Sequence, residues 1–275
     1  MNNYREHLFR PLPFLDRGKS VLMRLLMIPN LFLIRAAGVE HLTTDGRPVL
    51  FVFNHNNAFE ALLVPVFLIY RRGGQLISFV IDWMYGYLPF IGWLMQMIDP
   101  VYVYHKRSTL SFIQARRPEG THENTVDRCC EKLHAGISIG IFPEGTRNAH
   151  AHRLMKPKPG IGHIALKSGV PVIPVGIDFP QRATKGKIPR FGRIIVRIGR
   201  PMTFHEASAH YQATLLESNG GNAVRKRQHE LAGAVSHEIM LRLAELSGKR
   251  CLSDASFGKT DGNDNSKQKE QLCPV

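Results

Sequence analysis

"RPVLFVFNHNNAFEALLVPVFLIYRR", residues 47–72, decides the fold class. Residues 49–53 place five apolar side chains in unbroken succession. A half-exposed strand alternates apolar with polar, so an unbroken run predicts a strand covered on both faces. Polar residues end the run at Asn54, and 57–72 reads as a helix. A doubly covered strand feeding a helix is the unit of a parallel sheet with helices packed on it.

The alternation continues downstream. The pattern predicts strands at 76–81, 100–105, 137–142, 170–177 and 192–199, with helices at 123–136, 160–169 and 224–246. Gly136 stops the first of these helices. The expected class is α/β, a mostly parallel central sheet flanked by helices, with an N-terminal apolar helical membrane-seating region. Residues 1–46 form that region, 47–250 the main domain, and 251–275 a polar tail whose composition reads as disordered.

At 44% hydrophobic and 21% charged residues, a chain of 275 can bury a substantial core. Its formal net charge of +14 attracts phosphates, whether of nucleic acid, lipid head groups or small substrates. The basic residues are scattered, and no helix-turn-helix, zinc-finger or aromatic RNA-binding motif accompanies them, so nucleic acid is not an expected partner. Cys129, Cys130, Cys251 and Cys273 show no CxxC spacing and two are adjacent. That argues against a zinc site or a disulfide framework and for a reducing compartment. No secretory signal or prenylation box is read at the ends.

Residues 21–34, "VLMRLLMIPNLFLI", are too short to span a bilayer and are interrupted by Arg24 and Pro29. They read either as a buried helix pair or as an interfacial segment with Arg17, Lys19, Arg24 and Arg35 reaching head groups. A second stretch, "FVIDWMYGYLPFIGWLMQMI" (79–98), carries aromatics and helix breakers, which suits a surface-seated element. Together they point to membrane contact.

The tetrapeptide PEGT occurs twice, at 118–121 and 143–146. No strand precedes the first copy. It reads as a turn through Pro118 and Gly120, with Thr121 capping the next helix. His122 and Asp127 follow, but five residues along a helix separate two side chains by roughly 140°. The second copy leaves the C-terminal end of an apolar strand, where α/β sheets place ligands. There Gly145 permits close backbone approach and Arg147 offers a planar fork to phosphate or carboxylate. Arg153, Lys156 and Lys158 follow, and Gly160 opens a helix whose N-terminus favours an anion. On residue chemistry this is an anion site, with a solvated Gly-Thr turn as the alternative.

His55 sits just past a strand and Glu60 in the first turn of the following helix. A strand-end histidine can turn back over that turn, where a carboxylate on one ring nitrogen would fix its tautomer. The competing reading has Asn54, Asn57 and Glu60 capping the helix and His55 as a polar loop residue.

Taken together these blocks resemble the glycerolipid acyltransferases, the lysophosphatidic acid acyltransferases and their relatives. The resemblance rests on "NHNNAFE" (54–60), "DPVYVYHKR" (99–107), "FPEGTR" (142–147), "KPG" (158–160) and "VPVIPVGI" (170–177), and covers roughly residues 20–200. Two departures stand out. The acid of the first block is usually Asp and here is Glu60. The second block lacks its usual Gly and has His105 where Arg is usual.

The resemblance implies an O-acyltransferase moving a fatty acyl group from acyl-CoA or acyl carrier protein to a lysophospholipid hydroxyl. Lysophosphatidic acid is the first acceptor to test, with phosphatidic acid as product. It implies His55 as general base oriented by Glu60, with Glu144, Gly145, Thr146, Arg147 and Lys158 on the acceptor side. It implies no metal and no cofactor beyond the thioester co-substrate. A peripheral protein on the cytoplasmic membrane face, touching anionic lipids, is the matching location. The alternatives are another lysolipid acceptor or a non-catalytic basic lipid-binding protein. A lipid hydrolase needing a GxSxG elbow is set aside, as is a dinucleotide enzyme, because "GIGHIA" (160–165) follows a loop and not a strand.

Overall fold

Leu50, Phe51, Val52 and Phe53 form β2 (Leu50–Phe53) and are all completely buried. Successive strand side chains point to opposite faces, so a strand with no exposed residue needs a layer on each side. The computed structural model supplies both layers. It describes residues 8–42, 45–89, 91–104, 106–118, 124–148, 150–180, 188, 191–217 and 221–251.

The strands are β1 (Ile34–Ala37), β2, β3 (Ile77–Asp82), β4 (Val101–Val103), β5 (Ser138–Ile141), β6 (Val172–Asp178) and β7 (Ile194–Ile198). The helices are α1 (Arg17–Leu33), α2 (Glu60–Arg71), α3 (Ile91–Gln96), α4 (Ser111–Gln114), α5 (Thr125–His134), α6 (Gly160–Ser168), α7 (His205–Leu216) and α8 (Asn222–Ser247). The strands make one sheet in the order β1-β7-β6-β2-β5-β3-β4. Leu50 of the central β2 lies opposite Ile139 of β5 and Val172 of β6, both in parallel pairings. Among the described strands only β6 and β7 pair antiparallel.

The pleat sorts the core into two clusters. Phe51 and Phe53 pack with Met23 and Met27 of α1 and with Val64 and Phe67 of α2. Leu50 and Val52 face Cys129 and Leu133 of α5, Ile161 and Ile164 of α6, and Ile239 and Leu243 of α8. Helix α6 can lie directly on α8 because residue 162 is glycine. A Cβ there would stand 1.9 Å from the Ala232 carbonyl oxygen.

Several expectations are corrected. Residues 34–37, placed by sequence in a helical region, add edge strand β1 beside β7. The run is too short and too exposed to carry a strand pattern. Residues 21–33 are not a helix pair; they belong to one helix, α1, which contains Pro29 and is capped by Asp16, whose carboxylate accepts from the Lys19 amide at 2.8 Å. The 79–98 stretch divides, since Trp83 is buried while Ile91 and Trp93 are exposed. Helix α7 had no sequence signal, because its apolar residues do not gather on one face. Helix α5 is capped by Asn124, whose side chain accepts from the Val126 amide, and not by Thr121. Residues 119–122, including His122, and the tail from 252 onwards lie outside the described residues.

Helix α1 presents two different faces. Ser20, Met23, Met27 and Asn30 are buried, while Val21, Leu25, Ile28 and Phe32 are exposed. Steps of four, three and four residues put the second set on a single stripe of the opposite side. Among the described residues no helix is long and apolar enough to cross a membrane.

Candidate active site

The site is built where β2 ends. Asn54 uses its amide as a two-way clamp on β6: Nδ2 donates to the Ile177 carbonyl at 2.8 Å, and Oδ1 accepts from the Ile177 amide at 2.7 Å. This clamp fixes the point at which the chain leaves the sheet. His55 follows and turns back over the start of α2, so that its Nδ1 stands 3.4 Å from Glu60 Oε1. Its ring packs on Phe142 with centroids 4.3 Å apart. Contact at Nδ1 leaves Nε2 as the ring nitrogen open to a further hydrogen-bond partner.

Glu60 is completely buried, and an isolated buried carboxylate would be costly. Here it is saturated with donors. Oε1 accepts from the backbone amide of Asn56 and, at 3.2 Å, from that of Asn57, while Oε2 accepts from Asn56 Nδ2 at 2.7 Å. Asn57 returns the favour, its Oδ1 accepting from the Glu60 amide at 3.1 Å. That reciprocal pair closes the turn leading into α2, and Glu60, in the first turn of the helix, sits where the helix dipole favours a negative charge. Bracing the turn at the start of α2 and orienting the histidine are thus combined in one carboxylate. The extra methylene of Glu over Asp gives the arm length to reach back to Asn57.

The FPEGTR loop holds His55 from the other side. Glu144 is buried, with Oε1 accepting from the His55 amide at 3.1 Å. Its Oε2 accepts from Asn148 Nδ2 at 2.8 Å and from the Met155 amide at 2.9 Å. The Asn148 amide in turn donates to the His55 carbonyl at 2.7 Å. Glu144, assigned by resemblance to the acceptor side, is turned inward as a bracket between the two loops.

Between these anchors, Gly145, Thr146 and Arg147 are exposed. Gly145 adopts φ +66°, a left-handed conformation, and a Cβ there would lie 3.2 Å from Lys158 Cγ. Lys158 is therefore stacked along this loop, and its own amide donates to the Pro143 carbonyl at 2.7 Å. A second cation arrives from the divergent block. Lys106 Nζ donates to Asp82 Oδ2 at 2.9 Å and to the Gly145 carbonyl at 3.3 Å. Sequence reading left that block without a contact. The missed signal was the neighbouring Lys106, held in place by Trp83 Nε1 donating to its carbonyl at 2.9 Å. His105 lies outside the described residues.

The first PEGT copy contributes nothing among the described residues. Asp127 lies on α5 and pairs with Lys167, whose ammonium is pushed above its usual range chiefly by that hydrogen bond. Sequence reading also overlooked a GxSxG match at Gly136–Gly140. Its Ser138 is not on an elbow. It lies inside β5, buried, with Oγ accepting from the Val49 amide and from Arg72 Nη1, both at 3.2 Å. Among the described residues no three His, Cys, Asp or Glu side chains are placed to hold a metal ion.

A family model described as Acyltransferase matches residues 34–178. The chain is 30% identical over 138 residues to the chloroplastic 1-acyl-sn-glycerol-3-phosphate acyltransferase BAT2 of Brassica napus, half of this chain and 35% of that protein. It is 26% identical over 166 residues to the 1-acyl-sn-glycerol-3-phosphate acyltransferase of Pseudomonas aeruginosa, 60% of this chain and 57% of that one. The crystal structure of the 1-acyl-sn-glycerophosphate acyltransferase PlsC from Thermotoga maritima aligns at 20% identity with a TM-score of 0.49, covering 86% of this chain and 88% of that chain. The alignments thus span only part of the two curated relatives' length. The matched segment runs from β1 to the end of β6, contains His55, Glu60 and the FPEGTR loop, and exceeds half of the sequence: the chain belongs to the acyltransferase family.

Proposed function

We propose that this protein transfers a fatty acyl group from a coenzyme A or carrier-protein thioester to the free hydroxyl of a lysophospholipid, with lysophosphatidic acid as acceptor. The observation that carries the reading is the His55–Glu60 contact set inside a loop whose two ends, Glu144 and Asn148, bond the backbone of His55 itself. The exposed residues between those ends are therefore held beside the base. Two relatives named above, from Brassica napus and Pseudomonas aeruginosa, are named for this acceptor class.

The chemistry follows in order. His55 Nε2 takes the proton of the acceptor hydroxyl as its oxygen attacks the thioester carbonyl. The tetrahedral intermediate collapses with cleavage of the C–S bond, and the leaving thiolate takes the proton back. The acceptor oxygen is itself the nucleophile, so no acyl-enzyme forms. Glu60 holds the Nδ1–H tautomer and stabilises the imidazolium, a contribution typically of about 10²–10⁴-fold for a positioned base. Arg147, with Lys158 and Lys106, receives the acceptor's phosphate, and the Gly145 and Thr146 backbone lets it approach.

The exposed stripe of Val21, Leu25, Ile28 and Phe32 seats the enzyme in the membrane surface, where acceptor and product reside. Leu22 and Leu26 of α1 line an apolar cleft with Leu94 of α3, so α3 packs against the flank of α1. The net charge of +14 suits an anionic cytoplasmic leaflet.

The test is free-thiol release from palmitoyl-CoA on vesicles with and without lysophosphatidic acid. Release that depends on the acceptor and yields phosphatidic acid supports the reading. Thiol release independent of any lysolipid identifies a thioesterase instead.

A further inference from the structure

Lys249 lies beyond the segment matched by the acyltransferase family, just past the end of α8, and is almost completely buried. Its ammonium reaches into the site from behind. Nζ donates to Asn56 Oδ1 at 2.5 Å and to the His150 carbonyl at 2.8 Å. The backbone around it is pinned. The Lys249 amide donates to the Ala244 carbonyl, and Arg250 exchanges hydrogen bonds with His152 and Leu154 in the segment that follows Arg147.

The chemistry of this contact is one-sided. A lysine ammonium has three donors and no acceptor, so only the oxygen of the Asn56 amide can face it. Asn54 Nδ2 also donates to that oxygen, at 3.2 Å. With Oδ1 held on that side, Asn56 Nδ2 must face Glu60, where it donates to Oε2 at 2.7 Å. An asparagine flipped about its last bond would instead set its oxygen against the carboxylate.

We propose that Lys249 is a positioning residue for the catalytic pair. It locks the Asn56 amide in the orientation that holds Glu60 against His55 Nδ1. The C-terminal end of α8 thereby completes a site whose reacting groups all lie in the matched segment. The inference rests on the acyltransferase reading for its kinetic consequence, but not for its structural one.

The experiment uses the full chain with Lys249→Met, which keeps the length and apolar stem but removes the donors. Turnover falls on the order of tenfold or more, the size expected for a lost hydrogen bond to a charged network, with KM for the acceptor little changed. In a double-mutant cycle Lys249→Met has no further effect on kcat once Asn56 is alanine. The 15N signals of the His55 ring, identified by their loss in His55→Ala, report the tautomer directly and need no substrate. In Lys249→Met they move away from a pure Nδ1–H form. Unchanged ring signals in a folded Lys249→Met protein overturn the proposal, whatever the acceptor proves to be. Additive losses in the cycle also overturn it, since they assign Lys249 to general stability. A wild-type chain that transfers no acyl group, with the tautomer shift still seen in Lys249→Met, refutes the functional reading and leaves the positioning role standing.

Discussion

The amide of His55 donates to Glu144 Oε1 across 89 residues of sequence, so His55 and the FPEGTR loop are one mechanical unit. Glu144→Ala removes the acceptor of three donors, the part-buried amides of His55 and Met155 and the buried Asn148 Nδ2. A buried donor left unpaired costs about 1–3 kcal/mol, so the variant unfolds at lower urea concentration. It also loses kcat, because His55 is released. If Glu144 contacted the acceptor, the variant would instead raise KM at unchanged stability. Equilibrium unfolding beside steady-state kinetics separates the two.

Glu60 carries two duties, and two substitutions divide them. Glu60→Gln keeps most of the shape but removes the charge facing His55, and its kcat falls by about 10² or more. Glu60→Asp keeps the charge but shortens the arm that reaches the Asn57 amide. It costs about 1 kcal/mol for the lost turn hydrogen bond and less than tenfold in turnover. Equal losses of activity in both variants would contradict this division.

Gly145→Ala forces a side chain onto a left-handed backbone and against Lys158. The conformational part alone costs roughly 1–2 kcal/mol. Arg147→Ala leaves stability unchanged and raises KM for a phosphate-bearing acceptor, more so at low ionic strength. A KM for lysophosphatidic acid that ignores both Arg147 and salt would remove the phosphate from this loop.

How far the sequence carried can be judged from particular residues. The run at 49–53 predicted a doubly covered strand, and β2 is the middle of the sheet with every side chain buried. FPEGTR and NHNNAFE announced the two loops. Sequence could not say that Glu144 points inward, because that depends on Asn148 and Met155 closing over it. Nor could it pair Asn56 with Lys249, 193 residues away, since neither carries a periodic signal. The exposed stripe of α1 was half legible: the apolar run was visible, but not which half the core takes. Edge strand β1 and helix α7 were missed because neither has the pattern of its class.

Away from the site, His163 on α6 contacts Tyr211 Oη through Nδ1 at 2.8 Å and His229 Nδ1 through Nε2 at 3.2 Å. Burial first, and the His229 charge second, hold its pKa below the ordinary 6.5. The unfolded chain therefore binds this proton more readily than the folded one. Its contribution to stability is complete above 6.5 and is lost as pH falls from there towards the lowered folded value. Urea midpoints should drop between neutral and mildly acid pH, and the drop should shrink in His163→Gln. An identical drop in that variant would assign the acid sensitivity elsewhere.

Replacing Val21, Leu25, Ile28 and Phe32 together by serine leaves the buried face of α1 intact. The variant folds, sediments less with anionic vesicles and keeps its turnover on a short-chain, monomeric acceptor. Undiminished vesicle binding would contradict the seating role proposed for this stripe.

The central claim is that His55 is the base for transfer onto a lysolipid hydroxyl. Its most direct measurement is phosphatidic acid formed from palmitoyl-CoA and lysophosphatidic acid, quantified by mass spectrometry for wild type, His55→Ala and His122→Ala. The account predicts product from wild type and from His122→Ala, and a loss of about 10² or more in His55→Ala with the fold retained. Product formation undiminished in His55→Ala would contradict it.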